Sequence, residues 1–455
     1  MLEVVILAAG KGTRMRSSLP KVLHKLAGKP FIEHVLDRSR DLNAEKVHLV
    51  VGHGAQEMQA ALAGQEVNFI VQSPQLGTGH AVQQVMPHLY EGSRVLILYG
   101  DVPLIKTETL KALLKKVTPN SMGLLTVNLD KPQGYGRIVR GSNGNIVSIV
   151  EQKDASEEQL EIKEVNTGVM AVGAQHLLKW LPQLSKDNAQ GEYYLTDIIA
   201  LAVASDVQVL SSQASSATEV MGVNNRAQQA MLERLYQQEA AQQLMSSGAT
   251  LADPARIDCR GSLSTGEDCF IDINCVFEGD VTLGNNVSIG PNCYLKDMVV
   301  GDNTEVYANC VLEASQIASN CLIGPFARIR PGTQLEDSAK LGNFVETKKA
   351  VVGKGSKVNH LSYVGDAIVG DHVNIGAGAI TCNYDGANKH KTHIGDGVFI
   401  GSNTALVAPL SLGENVTVAA GSTVTRDVES QQLVVARTRQ KNIAGWQRPV
   451  KPKND

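Results

Sequence analysis

Residues 281–295 read Val281-Thr282-Leu283-Gly284-Asn285-Asn286-Val287-Ser288-Ile289-Gly290-Pro291-Asn292-Cys293-Tyr294-Leu295. Aliphatic residues recur every six positions here, at Leu283, Ile289 and Leu295, and glycine follows two of the three. On both sides the series continues at steps of six, occasionally five: Val300, Val306, Leu312, Ile317, Ile323, Ile329, Leu335 and Leu341. It resumes at Val352, Val358, Val364, Val369 and Ile375, then at Ile394, Ile400, Leu406, Leu412, Val418 and Val424. A helix repeats at about 3.6 residues and a strand at two, so neither alone explains a step of six. A triangular coil does: three short strands per turn, one aliphatic residue of each pointing inward, coils stacked about 4.8 Å apart. The expected architecture from residue 249 to 455 is therefore a parallel β-helix of six-residue repeats.

The repeat places Cys269, Cys275, Cys293, Cys310 and Cys321 at the second inward position, where small residues fit. Seven cysteines without CxxC pairs predict buried thiols, not a disulfide framework or a zinc site, and a reducing cytoplasm. A polar stretch, Thr381–His393, interrupts the coil, and insertions in regular solenoids mark binding faces.

Composition agrees with a narrow core. Only 4% of the 455 residues are aromatic, against 42 glycines, so Val, Ile, Leu and Ala must fill the interior. Forty-two basic and 46 acidic residues leave a net charge of −4, with no global field for nucleic acid or an anionic membrane. No apolar run is long enough to span a bilayer. The apolar start, Met1 to Leu7, runs straight into a Gly/Lys loop and reads as a buried strand rather than a signal peptide.

The first 225 residues have another rhythm. Val4–Ala9, Val47–Val51, Asn68–Gln72, Val95–Tyr99 and Gly123–Val127 read as strands, and His34–Arg40 and Glu108–Lys116 as helices. This predicts an open, Rossmann-like α/β sheet whose ligand sits beyond the carboxyl ends of its strands. Residues 226–248, rich in Ala, Gln, Glu and Leu, predict one long linking helix.

Two constellations carry chemistry. Leu7-Ala8-Ala9-Gly10-Lys11-Gly12-Thr13-Arg14-Met15 follows the first strand, with Pro20-Lys21 shortly after. Glycines let backbone N–H groups approach phosphates, and Arg14 and Lys21 add positive charge. Met15 stands where a dinucleotide loop needs glycine, and no Gly-Lys-Ser/Thr of a P-loop is present. Tyr99-Gly100-Asp101 ends an aliphatic strand, where a carboxylate is placed to hold Mg²⁺ against phosphates. In the coil, His360 lies off the phase of Val358 and Val364. Arg330, Lys348, Tyr363 and Asn374 come from nearby coils and are expected to line one corner with it, a setting for a phosphorylated sugar.

The loop, Gln72–Thr78, Tyr99-Gly100-Asp101, Gly134-Tyr135-Gly136-Arg137 and Gly222-Val223-Asn224-Asn225 together resemble a sugar-1-phosphate nucleotidyltransferase. With the hexapeptide coil and the 381–393 insertion, nearly the whole chain resembles the bacterial bifunctional N-acetylglucosamine-1-phosphate uridyltransferase/glucosamine-1-phosphate acetyltransferase family. The resemblance implies a two-step route to UDP-N-acetylglucosamine, a precursor for peptidoglycan and lipopolysaccharide. Acetyl-CoA acetylates glucosamine 1-phosphate, and UTP then uridylylates N-acetylglucosamine 1-phosphate.

By the family pattern, Leu7, Ala8, Ala9, Gly10, Gln72, Gly77 and Thr78 bind the uridine nucleotide. Arg14 and Lys21 offset phosphate charge, and Asp101 and Asn224 hold Mg²⁺. Tyr99, Gly136, Glu151 and Asn166 line the sugar pocket, and Gly100 belongs to the same substrate site. For acetyl transfer the resemblance makes His360 the general base, with Asn383, Tyr384 and Ser402 near the thioester. Ala377, Ser402, Ala420 and Arg437 match acetyl-CoA positions. The rest of the basic tail (Arg439, Lys441, Arg448, Lys451, Lys453) reads equally well as solvated surface. The family also implies that the coil is a left-handed parallel β-helix of hexapeptide repeats and that the chain forms a homotrimer. A nucleotidyltransferase with a merely regulatory coil, as in ADP-glucose pyrophosphorylases, and a non-enzymatic scaffold like a translation exchange factor subunit remain alternatives. Intact Arg14, Lys21 and Asp101 weigh against the scaffold, and His360 with the inserted loop against a regulatory coil.

Overall fold

The computed structural model describes residues 1–449 and 451. Two compact units are present, Met1–Gln237 and a second beginning at Gln238. The helix Arg226–Ser246 runs through the boundary and stops where Gly248 takes a positive φ of 102°, a turn that costs glycine little.

The first unit is built on a mixed sheet. In spatial order its strands are Gln208–Gln213, Ser121–Asn128, Glu164–Gly173, Arg94–Tyr99, Leu2–Ala8, Lys46–Val51 and Asn68–Val71. All neighbours are parallel except Glu164–Gly173, which runs antiparallel to both of its own. Each strand and helix expected in this half falls on an observed element, the helices on Phe31–Asp41 and Thr107–Leu114. The unbroken aliphatic runs follow from burial on both faces: Val5, Leu7 and Ile97 pack into one layer, Val4, Ile6, Leu96 and Leu98 into the other. Leu7 pairs with Tyr99, so the loop after Ala8 and the Gly100-Asp101 turn leave the sheet at one edge.

The second unit is the coil. Successive strands of one face pair 17 or 18 residues apart, as in Ser288↔Glu305, Glu305↔Leu322, Leu322↔Lys340 and Lys340↔Lys357, all parallel. Every aliphatic residue of the six-step series is at most 3% exposed. Its breaks are filled rather than empty. Thr347 and Thr381 occupy inward slots, and their hydroxyls are satisfied: Thr333 donates to Thr347 at 3.2 Å, and Thr381 donates to Gly365 O at 3.0 Å. The five cysteines at the second inward position are buried, with thiols that donate to backbone carbonyls such as Gly284 O and Gly290 O.

One corner explains the recurring asparagines. Asn274, Asn292 and Asn309 turn it in the left-handed region, and Asn274 donates to Asn292 at 2.9 Å. In the next three coils Phe326, Phe344 and Leu361 hold the same position, also at positive φ, and 47%, 55% and 65% exposed.

At the insertion, Asn374 pairs with Phe399 and Ile380 with Ala405, 25 residues on. The loop is shorter than Thr381–His393. Thr381 and Thr392 are buried inward and their strands, Ile380–Cys382 and Thr392–Ile394, belong to the coil, leaving 383–391 outside it.

Candidate active sites

In the first unit, a cleft of about 550 Å³ opens at the carboxyl edge of the sheet. Leu7, Ala8, Ala9, Gly10, Lys21, Gln72, Gly77, Thr78, Tyr99 and Asp101 line it. The loop geometry depends on glycine at two places. A Cβ on Gly12, at φ 59°, would lie 2.8 Å from Lys21 Cβ, and one on Gly77, at φ 109°, 2.6 Å from Tyr193 O. Buried Gln72 donates to Gly77 O at 2.9 Å and so fixes the start of the helix Thr78–Gln83.

Four charged or amide groups from distant parts of the chain converge beside this cleft. The Lys21 ammonium pairs with Asp101 Oδ2 and donates to Asn224 Oδ1 at 3.2 Å, while Arg14 donates to the same Asn224 oxygen at 3.0 Å. Asp101 O accepts from Val223 N at 2.9 Å, which ties the Gly222–Asn225 segment to the strand end. A cation thus already sits between a carboxylate and an amide oxygen. Such hard oxygen donors, with room for waters and phosphates, fit Mg²⁺.

Gly136, Glu151 and Asn166 cluster together, with the Glu151 carboxyl near Tyr99. Asn166 N donates to Gly136 O at 2.9 Å, and a Cβ on Gly136 would stand 3.4 Å from Glu151 Oε1. Thr196 donates to Glu151 at 3.2 Å. Burial, reinforced by Asp154 and Asp197, pushes the Glu151 carboxyl above the usual range despite that bond. Burial and the nearby Glu151 and Asp101 charges hold the Tyr99 phenol neutral. Sequence reasoning missed Gln75, whose Nε2 donates to Ala9 O at 2.7 Å, and Glu192, which also lines the cleft. Gln75 stood inside the Gln72–Thr78 motif, whereas nothing near Glu192 signalled it.

In the coil, the acetyl-site residues do not meet at one corner. Asn343, His360, Ala377, Ser402 and Ala420 form one column. Asn343 O accepts from Leu361 N, His360 O from Gly378 N, Ala377 O from Asn403 N and Ser402 O from Gly421 N, at 2.8–3.2 Å. Exposed His360 thus heads the line of small residues matched to acetyl-CoA. Arg330, Lys348 and Tyr363 instead lie on the face beyond that corner, and Asn374 on the face before it. The physical reason is strand length. His360 ends one strand, and Tyr363 begins the next across the Leu361 turn.

The face carries linked polar groups. Arg330 pairs with Glu346 at 2.8 Å, and buried Asn383 donates to Asp366 at 2.5 Å and to the Tyr363 hydroxyl at 3.4 Å. The neighbouring Lys389 charge lowers the Lys348 pKa. Lys389 and Asp366 were not foreseen. The inserted loop is closed on itself by Tyr384, which donates to Gly386 O, and by the His390–Asp385 pair, each at 2.6 Å. Arg437 is exposed, next to Gly421, while Lys453 lies outside the described residues.

Comparison with known proteins follows the same division. Residues 4–193 match the MobA-like NTP transferase domain, 259–335 the GMPPB C-terminal domain and 391–426 the bacterial transferase hexapeptide (six repeats). The chain is 66% identical over 451 residues to the bifunctional protein GlmU of Saccharophagus degradans, covering 99% of this chain and 100% of that protein. It belongs to the GlmU family. GlmU proteins of Marinobacter nauticus and Idiomarina loihiensis are 59% and 56% identical, each over 99% of both chains. A GlmU-family chain therefore pairs a Rossmann-like nucleotidyltransferase unit with a left-handed hexapeptide β-helix, as the six-residue period and the Gly10–Met15 loop indicated. Family membership removes the scaffold and regulatory-coil alternatives.

Proposed function

We infer that the chain makes UDP-N-acetylglucosamine by two reactions, one in each unit. In the coil, the amine of glucosamine 1-phosphate attacks the acetyl-CoA thioester, forming the amide and releasing CoA. His360, heading the column of Ala377, Ser402 and Ala420, takes the amine proton. Arg330 and Lys348 meet the sugar phosphate, with Tyr363 and Asn374 orienting the ring. Asn383 and Tyr384 stand by the thioester oxygen, and Arg437 meets a CoA phosphate.

In the first unit, a phosphate oxygen of N-acetylglucosamine 1-phosphate attacks the α-phosphorus of UTP, and pyrophosphate leaves. The nucleophile needs little activation, so positioning and charge compensation dominate. Gly10, Gln72, Gly77 and Thr78 hold the nucleotide, Arg14 and Lys21 offset phosphate charge, and Glu151 and Asn166 accept from and donate to the sugar. Asp101 and Asn224 would hold Mg²⁺, which when bound neutralises phosphate charge. The observation that carries this reading is the convergence of Lys21, Asp101 and Asn224 beside a cleft lined by the phosphate loop.

Association as a homotrimer through the coil is supported by Phe326, Phe344 and Leu361. All three are apolar residues held exposed at positive φ; Phe326 and Phe344 stack on one another at 5.2 Å, and with Leu361 they make an apolar edge that a second copy would cover. Free cysteines fit a reducing cytoplasm, and no helix among the described residues is long and apolar enough to cross a membrane. Purified protein given glucosamine 1-phosphate, acetyl-CoA, UTP and Mg²⁺ should form UDP-N-acetylglucosamine; formation without acetyl-CoA would refute the order of steps.

A further inference from the structure

Lys21 opens a three-residue turn, Lys21–Leu23, and His24 closes it with its N–H on Lys21 O at 3.3 Å. The His24 ring is buried, and its Nδ1 receives a bond from Arg226 at 3.1 Å. A guanidinium only donates, so Nδ1 is the unprotonated nitrogen. Burial, and then the Arg226 charge, keep the imidazole pKa below the ordinary histidine value, which preserves that acceptor. One residue further, Lys25 O accepts from Gln229 Nε2 at 2.9 Å.

The same helical turn holds Asn224 from its other side. Asn224 N donates to Gln228 Oε1 at 2.8 Å, and Gln228 N donates to Asn225 Oδ1 at 2.9 Å, closing the start of the helix. Residues 226–229 therefore grip both the Lys21 turn and the Asn224 segment, more than 200 positions apart in the chain. Among the described residues Arg226 meets no carboxylate; its partners are the neutral His24 ring and Gln229 Oε1, at 3.2 Å. A surface guanidinium spent on a buried neutral ring is not explained by charge pairing.

We propose that Arg226 and His24 are positioning residues for uridylyl transfer, forming a clamp that sets the Lys21 ammonium against the Asn224 oxygen. The proposal rests on the roles assigned above to Lys21 and Asn224. Neither Arg226 nor His24 touches substrate; both act through the turn and the helix start.

The test uses the full-length protein with Arg226→Ala, His24→Leu and His24→Asn, beside Lys21→Ala. Arg226→Ala and His24→Leu should each lower kcat/KM for uridylyl transfer about tenfold, the scale of one lost charge-assisted hydrogen bond. Acetyl transfer by the same samples should stay unchanged. In metal-free protein, amide hydrogen exchange at residues 21–25 should rise in Arg226→Ala. His24→Asn, whose Oδ1 can replace Nδ1 as acceptor, should recover most of the loss. If Lys21→Ala is inactive while Arg226→Ala keeps wild-type kcat/KM and exchange, the clamp is refuted. If Lys21→Ala stays fully active in uridylyl transfer, the reading of the site beneath it fails instead. Should His24→Leu lose both activities through misfolding, exposed Arg226 decides the matter by the same criteria.

Discussion

His360 and Ala377 occupy the same position in successive coils, and His360 O accepts from Gly378 N at 3.2 Å. The proposed base therefore stands one strand spacing from the first of three small residues, Ala377, Ser402 and Ala420, that run along the same edge. Side chains this small would leave a track beside the proposed base for the pantetheine arm of acetyl-CoA.

Filling that track should separate the two co-substrates. Ala377→Phe is expected to raise KM for acetyl-CoA by about ten- to a hundredfold, the cost of ~1–3 kcal/mol for forcing bulk into an occupied space. KM for glucosamine 1-phosphate, most of whose proposed contacts (Arg330, Lys348 and Tyr363) lie on the face beyond the corner, should change little. Steady-state kinetics with each substrate varied in turn checks this, and an unchanged acetyl-CoA KM would place the arm elsewhere.

Removing the base should be more severe. His360→Ala is expected to lower kcat for acetyl transfer by about 10²–10⁴. Uridylyl transfer in the same sample should be untouched.

The nucleotide loop should fail at Gly77. Its φ of 109° and the 2.6 Å approach to Tyr193 O leave no room for a methyl group. Gly77→Ala should lower stability by roughly 1–3 kcal/mol and raise KM for UTP. A melting curve and UTP titration that both match wild type would show that this turn is not constrained.

Glu151 trades stability for recognition. Its carboxyl pKa is raised by burial and by Asp154 and Asp197, so the folded state favours the protonated form. That contribution is complete below the unfolded carboxylate pKa and is lost as pH rises through the folded value. Glu151→Gln should therefore have a higher Tm than wild type at neutral pH, and the difference should shrink at acid pH. KM for N-acetylglucosamine 1-phosphate should rise in the same variant. A pH-independent Tm difference would contradict the burial argument.

What the residues revealed in advance follows from periodicity. The inward aliphatics announced the coil because each repeat obeys one rule, and even the breaks at Thr347 and Thr381 turned out to be the rule kept by a hydroxyl. The nucleotide loop was legible because glycine, lysine and proline at fixed offsets mark a backbone that must bend toward phosphates. Contacts between remote segments were not legible. The Arg226–His24 bond, the approach of Glu192 to the cleft and the Lys389–Lys348 neighbourhood depend on tertiary placement, which no local spacing encodes. The arrangement around His360 was misjudged for a related reason. The coil length gives neighbours along a column, but the turn at Leu361 decides which face a residue takes.

The central claim is that two separate sites act in sequence on one chain. Its most direct test gives Lys21→Ala and His360→Ala, separately and mixed, glucosamine 1-phosphate, acetyl-CoA, UTP and Mg²⁺, with products followed by chromatography. Lys21→Ala should accumulate N-acetylglucosamine 1-phosphate, His360→Ala should form acetylated product at least about a hundredfold more slowly than wild type, and the mixture should yield UDP-N-acetylglucosamine. A mixture of two folded variants that yields none, or either variant alone making the nucleotide sugar at the wild-type rate, would contradict it.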